Sequence, residues 1–360
     1  MEKYKVGILG ATGTVGQKFI MLLENHPWYD VTVLAASSNS AGQKFKDVVS
    51  KKWVEDKTLP EKYEDLIIMD VEKDAKKIAS EVDFVFCALG CEKEKIKTIE
   101  EMYAKLECPV ISNNSANRMA QDVPMIIPEI NADHMDIIPH QKERLGTKKG
   151  FIAVKSNCSI QCYVPAIHAA FDSGIKNILV CTYQAISGAG KTFKTWPEMV
   201  DNIIPYIAGE EEKSEMEPLK IWGSIKNGKI NLNENISITS QCIRVPVSNG
   251  HTAAVFVSFE NKISRYEFIE KLGHFKIHEK SKELPSSPKK FIYYFEEEDR
   301  PQIKLDRNLD NGMGISVGRV REDEQYDLKF ICMSHNTVRG AAGGAILLAE
   351  MLCREGYIYK

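Results

Sequence analysis

The tightest constraint on the fold lies near the N-terminus. Val6-Gly7-Ile8-Leu9 is a short apolar run that passes directly into Gly10-Ala11-Thr12-Gly13-Thr14-Val15-Gly16, after which Phe19, Leu22 and Leu23 recur at helical spacing. Strand, glycine turn and helix in that order are the context in which glycines mark a dinucleotide site. Gly10 permits the tight turn, Gly13 lets the backbone approach a pyrophosphate, and Gly16 lets helix and sheet pack closely. The spacing is G-x-x-G-x-x-G, a variant of the usual pattern, and Thr12, Thr14 and Val15 fall within the same cradle.

The next strand pattern, Val31 to Ala36, ends in Ser37-Ser38-Asn39-Ser40, with Lys44 and Lys46 nearby. A turn that prefers NAD commonly carries a carboxylate here for the ribose 2′-hydroxyl. Small hydroxyls at Ser37 and Ser38 leave room for a 2′-phosphate, so NADP is the expected cofactor; the bland alternative is that these serines only make a turn. Asp83 to Gly90 is a buried-type strand, Glu92 to Leu106 an amphipathic helix, and Pro109 to Ser112 a strand that ends in Asn113 to Arg118. Alternating strands and helices imply an α/β, doubly wound parallel sheet with ligands at the carboxyl ends of its strands. Leu89, Asn114 and Arg118 fall at those ends.

Beyond Lys155 the character changes. Lys176 to Ile186, Ile236 to Val247 and Ala253 to Phe259 are β-rich, which suggests an α+β second domain on a mixed or antiparallel sheet. The expected division is residues 1–155, completed by a C-terminal helix within 336–360, and residues 156–335. That final helix, Thr337 to Cys353, opens with small residues that favour close packing against the first domain. Glu210-Glu211-Glu212-Lys213 reads as a solvated charge run and Lys282 to Lys290 as an exposed loop. Ser187-Gly188-Ala189-Gly190-Lys191-Thr192 ends like a phosphate-binding loop. It lacks the required first glycine, because Ala185 is there, and Pro197 interrupts the helix that should follow.

Composition removes several classes of function. A net charge of −3 leaves no footprint for nucleic acid or an anionic membrane. No apolar run approaches the ~18 residues of a membrane span. The N-terminus enters a strand pattern with no signal peptide ahead of it. Nine scattered cysteines suit reduced thiols, and neither Cys87/Cys91 nor Cys158/Cys162 has partners at zinc spacing. A cytoplasmic protein without a metal is expected.

Val154-Lys155-Ser156-Asn157-Cys158-Ser159-Ile160-Gln161 places one cysteine where an extended run becomes helical. Pro165 is tolerable only in the first turn, so the helix should begin just after Cys158. A helix start favours a thiolate, which makes Cys158 a candidate nucleophile. A buried structural cysteine is the competing reading.

These segments, followed by Thr182 to Gly190, Arg244-Val245-Pro246-Val247-Ser248-Asn249-Gly250-His251 and His335-Asn336-Thr337-Val338-Arg339-Gly340-Ala341-Ala342-Gly343-Gly344, resemble the aspartate-β-semialdehyde dehydrogenase family over essentially the whole chain. The likeness is to its archaeal and fungal branch. It implies a Rossmann-like domain followed by an α+β catalytic and dimerisation domain, in a homodimer or homotetramer. It also implies NADP-dependent, reversible reduction of β-aspartyl phosphate to aspartate semialdehyde through a cysteine thioester. By this resemblance Cys158 is the nucleophile, His251 the acid/base and Gln184 the residue that orients the acyl group. Asn157 joins the substrate site, Arg244 grips the α-carboxylate and Arg118 the phosphate. Glu217 and Lys220, one turn apart on a helix, take the substrate ammonium and the phosphate, with Glu215 a competing assignment for the ammonium. By spacing alone Glu217 and Lys220 would be a surface ion pair. Ser187, Gly188 and Asn336 contact the nicotinamide half of the cofactor. The chain departs from the family in Ile160-Gln161-Cys162 after the cysteine motif and in the Asn113-Asn114-Ser115 turn.

Chemistry independently favours covalent catalysis, because a thiolate that first displaces phosphate splits one hard step into two. Malonyl-CoA reductase, of the same fold, is the alternative; its thioester substrate needs no partner for an ammonium. A nucleotide-binding regulator without turnover is the reading from another class, and it predicts an unreactive Cys158.

Overall fold

The structure is a computed structural model and describes residues 2–360. Tyr4–Leu9 (β1), Tyr29–Ala36 (β2), Met69–Asp70 (β3), Phe84–Cys87 (β4), Val110–Ser112 (β5) and Ile152–Val154 (β6) form a parallel sheet in the order β3-β2-β1-β4-β5-β6. Every residue of β4, β5 and β6 is buried, as interior parallel strands covered on both faces require. The strand order reverses between β1 and β4, which opens a crevice at their carboxyl ends. Gly10 turns there with φ +89°, and a Cβ on it would collide with the Ala88 carbonyl. A Cβ on Gly16 would strike the Gly10 carbonyl and the Ala11 backbone, so the helix Thr14–Leu23 approaches the sheet only through glycine. A Cβ on Gly13 would make only an ordinary contact, with the Gly10 carbonyl at 3.5 Å.

The second sheet contains Ile175–Gln184 (β7), Ser237–Arg244 (β10), His251–Phe259 (β11), Ile292–Phe295 (β12), Ile315–Glu322 (β13) and Leu328–Ser334 (β14); a separate hairpin pairs Ser224–Lys226 (β8) with Lys229–Asn231 (β9). Its order is β10-β7-β11-β14-β13-β12, parallel in the two outer pairs and antiparallel within. Along β11, Ala253, Val255 and Val257 are buried while Thr252, Ala254, Phe256 and Ser258 are half-buried. The helix that follows Cys158, Ile160–His168, lies against β11, β13 and β14.

The expected helix from Thr337 to Cys353 is two pieces. Val338–Ala342 is a π-helical turn, and the α-helix proper is Gly343–Arg354. Its Leu347, Leu348, Met351 and Leu352 share one core with Phe19, Phe84 and Phe86 of the first sheet's layer. Two further expectations need correction. Pro165 sits in the second turn of its helix, although the helix does begin at Ile160. Lys282 to Lys290 is partly folded inward: Leu284 is buried and the Ser286 N–H donates to Glu350 at 3.0 Å.

Candidate active site

Register brings the catalytic side chains together. Arg244 on β10 stands opposite Gln184 on β7, and His251 opens β11 opposite Ser334 of β14. All of them sit at the same end of the second sheet, facing the turn Lys155–Ser159 that leaves β6. There Cys158 Sγ lies 3.4 Å from His251 Nε2. The Ala185 N–H donates to His251 Nδ1 at 3.0 Å, and the Arg244 guanidinium donates to the Ala185 carbonyl at 2.7 Å. A methyl on Gly188 would come within 2.9 Å of Arg244 Nη1 and 3.2 Å of His251 Nε2, so this glycine shapes the wall beside both.

The electrostatics differ from the helix-start expectation. Burial, and then Glu210, raises the Cys158 thiol above its ordinary value; Lys155, Arg118 and Arg244 oppose that rise. Cys158 nevertheless keeps partial exposure, unlike most of the other cysteines. His251 is fully buried, and desolvation followed by the Arg244 charge lowers it to about 3, so the ring is neutral at working pH.

Two carboxylates brace the nucleophile. Glu217 accepts from Arg118 Nη1 at 2.9 Å and from the Asn157 N–H at 2.6 Å. Glu210 accepts from the Asn157 amide at 3.0 Å, from the Gln184 amide at 3.2 Å and from Lys213 at 2.7 Å. Burial pushes the Glu210 carboxyl up, but Lys213 and the Gln184 hydrogen bond outweigh it and leave the group below its ordinary value. Arg118 also donates to the Asn113 carbonyl, while its Nε and both amide atoms of Asn113 are buried without a partner. Unpaired buried polar atoms are costly, so these three mark a place where a polar ligand completes the site.

Comparison with known proteins follows the same layout. Residues 5–138 match the semialdehyde dehydrogenase NAD-binding domain and residues 164–339 the semialdehyde dehydrogenase dimerisation domain. The aspartate-semialdehyde dehydrogenase of Archaeoglobus fulgidus is 42% identical over 356 residues, covering 99% of this chain and all of that one. The Saccharomyces cerevisiae enzyme of the same name is 39% identical, with 98% of each chain covered. This chain belongs to the aspartate-semialdehyde dehydrogenase family. A crystal structure of the Candida albicans family member with NADP superposes with a TM-score of 0.89 at 37% identity, covering 99% of this chain and all of that one.

In this family member the cofactor-side residues divide between two cavities. One, of about 310 Å3, is lined by Gly10, Thr12, Gly13, Ser37 and Leu89, with Lys52 and Lys95. The other, of about 140 Å3, is lined by Thr14, Ser187, Gly190 and Lys191. Val15 is partly buried against the core under the turn. Asn114 accepts from the Leu89 N–H at 3.1 Å and donates to the Leu89 carbonyl at 2.6 Å, so it shapes that turn. Asn336 donates to Ser187 Oγ at 2.9 Å and accepts from the Gly250 N–H at 2.7 Å.

Several residues stand differently from the sequence reading. Glu210 is buried in the site, not solvated. Glu217 and Lys220 are both buried and bond to other partners; Lys220 donates to the carbonyls of Arg118, Ala120 and Val123 at 2.6, 2.6 and 2.7 Å. Glu215 instead accepts from the Ser240 N–H, at the sheet. Lys44 and Lys46 pair with Asp65, and Lys52 and Lys95 line the cavity instead. A carboxylate does adjoin the Ser37-Ser38 turn: Asp70 at the end of β3 accepts from Ser38 Oγ at 2.6 Å and from the N–H groups of Glu72 and Lys73. The segment Ile186–Ala189 is a 3-10 turn, in agreement with the rejection of a phosphate loop there.

Proposed function

We propose that the protein catalyses the reversible, NADP-dependent reduction of β-aspartyl phosphate to aspartate semialdehyde, with release of phosphate. The observation that carries this reading is the Cys158–His251 pair at 3.4 Å, walled by Gln184 and Arg244 and flanked by Arg118. The Cys158 thiolate forms a bond to the acyl carbon, the carbon–oxygen bond to phosphate breaks, and a thioester remains. Arg118, with its unpaired Nε, receives the phosphate, and Arg244 the α-carboxylate. Gln184 orients the acyl oxygen and His251 Nε2–H donates toward it. The glycine turn and the cavity beside Ser37 and Leu89 fit the NADP cofactor, whose reduced form, NADPH, would when bound supply the hydride that reduces the thioester, with the aldehyde released as the carbon–sulfur bond breaks. Asp70 is already engaged by Ser38 and two backbone N–H groups, and Lys52 and Lys95 line the cavity beside Ser37, which favours NADP over NAD.

Residues 1–155 with 336–360 form the cofactor domain in this reading, and 156–335 the catalytic one. The half-buried face of the second sheet, with the exposed Tyr183 of β7 on it, supports a homodimer or homotetramer. Among the described residues no helix is long and apolar enough to cross a membrane, and we assign the protein to the cytoplasm. The test is phosphate-dependent NADP reduction with aspartate semialdehyde. Wild type should turn over, and Cys158→Ala should abolish turnover while leaving NADP affinity within about twofold. Reduction of malonyl-CoA in place of this reaction would overturn the assignment.

A further inference from the structure

Arg339 is completely buried, and so is its partner Glu129. The two form a bidentate pair, with Nη2 to Oε2 at 2.6 Å and Nη1 to Oε1 closing the fork. Its third donor, Nε, reaches Gln161 Oε1 at 3.0 Å, and the Gln161 amide continues to Ser156 Oγ at 2.7 Å. The guanidinium also lies 4.8 Å from the centre of the Phe291 ring. A buried ion pair adds little net stability over apolar residues of the same size. What this one does add is placement. Glu129 lies in the connection between β5 and β6 of the first sheet, Arg339 belongs to the π-helical turn after the second, and Gln161 and Ser156 flank Cys158.

The same turn reaches the nucleophile a second way. Gly340 follows Arg339, and a methyl on it would sit 2.8 Å from Cys158 Cβ and 3.2 Å from its Cα. Earlier in that segment, Asn336 holds the Gly250 N–H next to His251 and the Ser187 hydroxyl. π-Helical turns recur at functional sites because they re-aim backbone that a regular helix would not. One short segment therefore touches Cys158, the residue before His251 and the turn beside the cofactor cavity.

We propose that Arg339 is a positioning residue: anchored on Glu129, it fixes the Cys158 loop through Gln161 and Ser156 and presses Gly340 against the nucleophile. It thereby sets the sulfur–imidazole geometry. The inference rests on the reading of Cys158 as nucleophile.

The test compares Gln161→Leu, Ser156→Ala and Arg339→Lys with wild type. Steady-state turnover is measured together with the NADPH dissociation constant, thermal stability and the pH profile of iodoacetamide modification at Cys158, followed by peptide mass spectrometry. Gln161→Leu keeps the ion pair and removes both bonds of the link, the one from Arg339 Nε and the one to Ser156. Its kcat should fall about tenfold to a hundredfold, with the NADPH dissociation constant and KM within about twofold, and the alkylation profile should move along the pH axis. Arg339→Lys keeps the charge but lacks the fork, and it should reproduce the Gln161→Leu profile, not the wild-type one. If Arg339→Lys fails to fold, the two milder variants decide. A lowered melting temperature with wild-type kcat and a wild-type alkylation profile in Gln161→Leu and Ser156→Ala would overturn the proposal. Failure of the wild type to turn over aspartate semialdehyde would instead remove the reaction, while the alkylation profiles still decide whether the network positions the thiol.

Discussion

The Ala185 N–H donates to His251 Nδ1, and this contact settles which ring nitrogen carries the proton. A neutral imidazole has one donor and one acceptor nitrogen. With Nδ1 accepting, the proton sits on Nε2, which points at the Cys158 sulfur. In the proposed reaction the ring steadies a thiolate and later offers a proton to the substrate oxygen; its proton on Nε2 does not suit it to take one from the thiol, whose proton would leave to solvent from the partly exposed Cys158. In NMR spectra of imidazole-labelled protein, His251 should show the Nε2–H tautomer and no titration between about pH 8 and 5, given a pKa lowered to about 3. A titration midpoint near the unperturbed histidine value of about 6.5 would contradict the geometry.

Buried neutral histidines also set the acid limit of stability. Burial lowers His168 to about 4; burial, then the charges of Lys18 and Arg307, lowers His335 to about 4. His251 stands at about 3. For each, the unfolded chain binds the proton first, near pH 6.5. The stability they contribute is complete above that value and is lost as pH falls through the folded values. Each contributes a slope of about 1.4 kcal/mol per pH unit within its window. Urea midpoints should therefore drop steadily from pH 6.5 to 4. A midpoint constant over that range would show that the three rings are not held neutral.

Glu210 should have opposite effects on reactivity and turnover. Its charge is the second cause, after burial, of the raised Cys158 thiol. Glu210→Gln removes that charge, so iodoacetamide should modify Cys158 about three to ten times faster at pH 7.5. Turnover should fall nonetheless, because glutamine offers the Asn157 and Gln184 amides one acceptor oxygen where Glu210 offers two. Slower alkylation in this variant would mean that the carboxylate does not act on the sulfur.

Much of this was legible in the chain, and the rest had a physical reason to stay hidden. Gly10 and Gly16 could be read because close backbone approach tolerates only glycine, and a strand and helix pattern flanks them. Cys158, Gln184, Arg244 and His251 each sit in a recognisable local motif, but their meeting depends on the registers of β7, β10 and β11, which no local pattern states. Glu210 reads as solvent-facing because it opens the charge run Glu210-Glu211-Glu212-Lys213, and such runs are commonly solvated. The usable signal was periodicity: Glu210, Ser214, Glu217 and Ile221 recur on one helical face, and that face is buried. Amphipathic patterning is read from apolar residues, so a buried polar stripe passes for surface. Arg339 gave no sign at all, since its partner Glu129 lies far away in sequence.

Gly188 offers a narrow steric test. Its hypothetical Cβ meets Arg244 Nη1 at 2.9 Å and the His251 ring at 3.2 Å, and both neighbours are buried. Gly188→Ala must therefore displace the guanidinium or the imidazole from its acceptor. Turnover should fall about tenfold to a hundredfold from a shift well under 1 Å, with little change in melting temperature. Wild-type kcat in this variant would show that the wall beside His251 can yield.

Lys220 separates a structural clamp from a phosphate ligand. Three carbonyls, those of Arg118, Ala120 and Val123, surround its Nζ within 2.7 Å. Three acceptors require three N–H donors, which only the ammonium supplies, even though burial pushes the amine down to about 7. Its hydrogens thus hold the loop that carries Arg118. Lys220→Met leaves those carbonyls buried without donors, each at about 1–3 kcal/mol. The variant should unfold at markedly lower denaturant, and its KM for phosphate should rise because Arg118 is no longer held. Lys220→Arg should not rescue it, since a planar fork cannot direct three N–H groups from one nitrogen at three converging carbonyls. If Lys220→Met kept wild-type stability and raised only the KM for phosphate, the ammonium would be a ligand of the substrate and not a clamp on the loop.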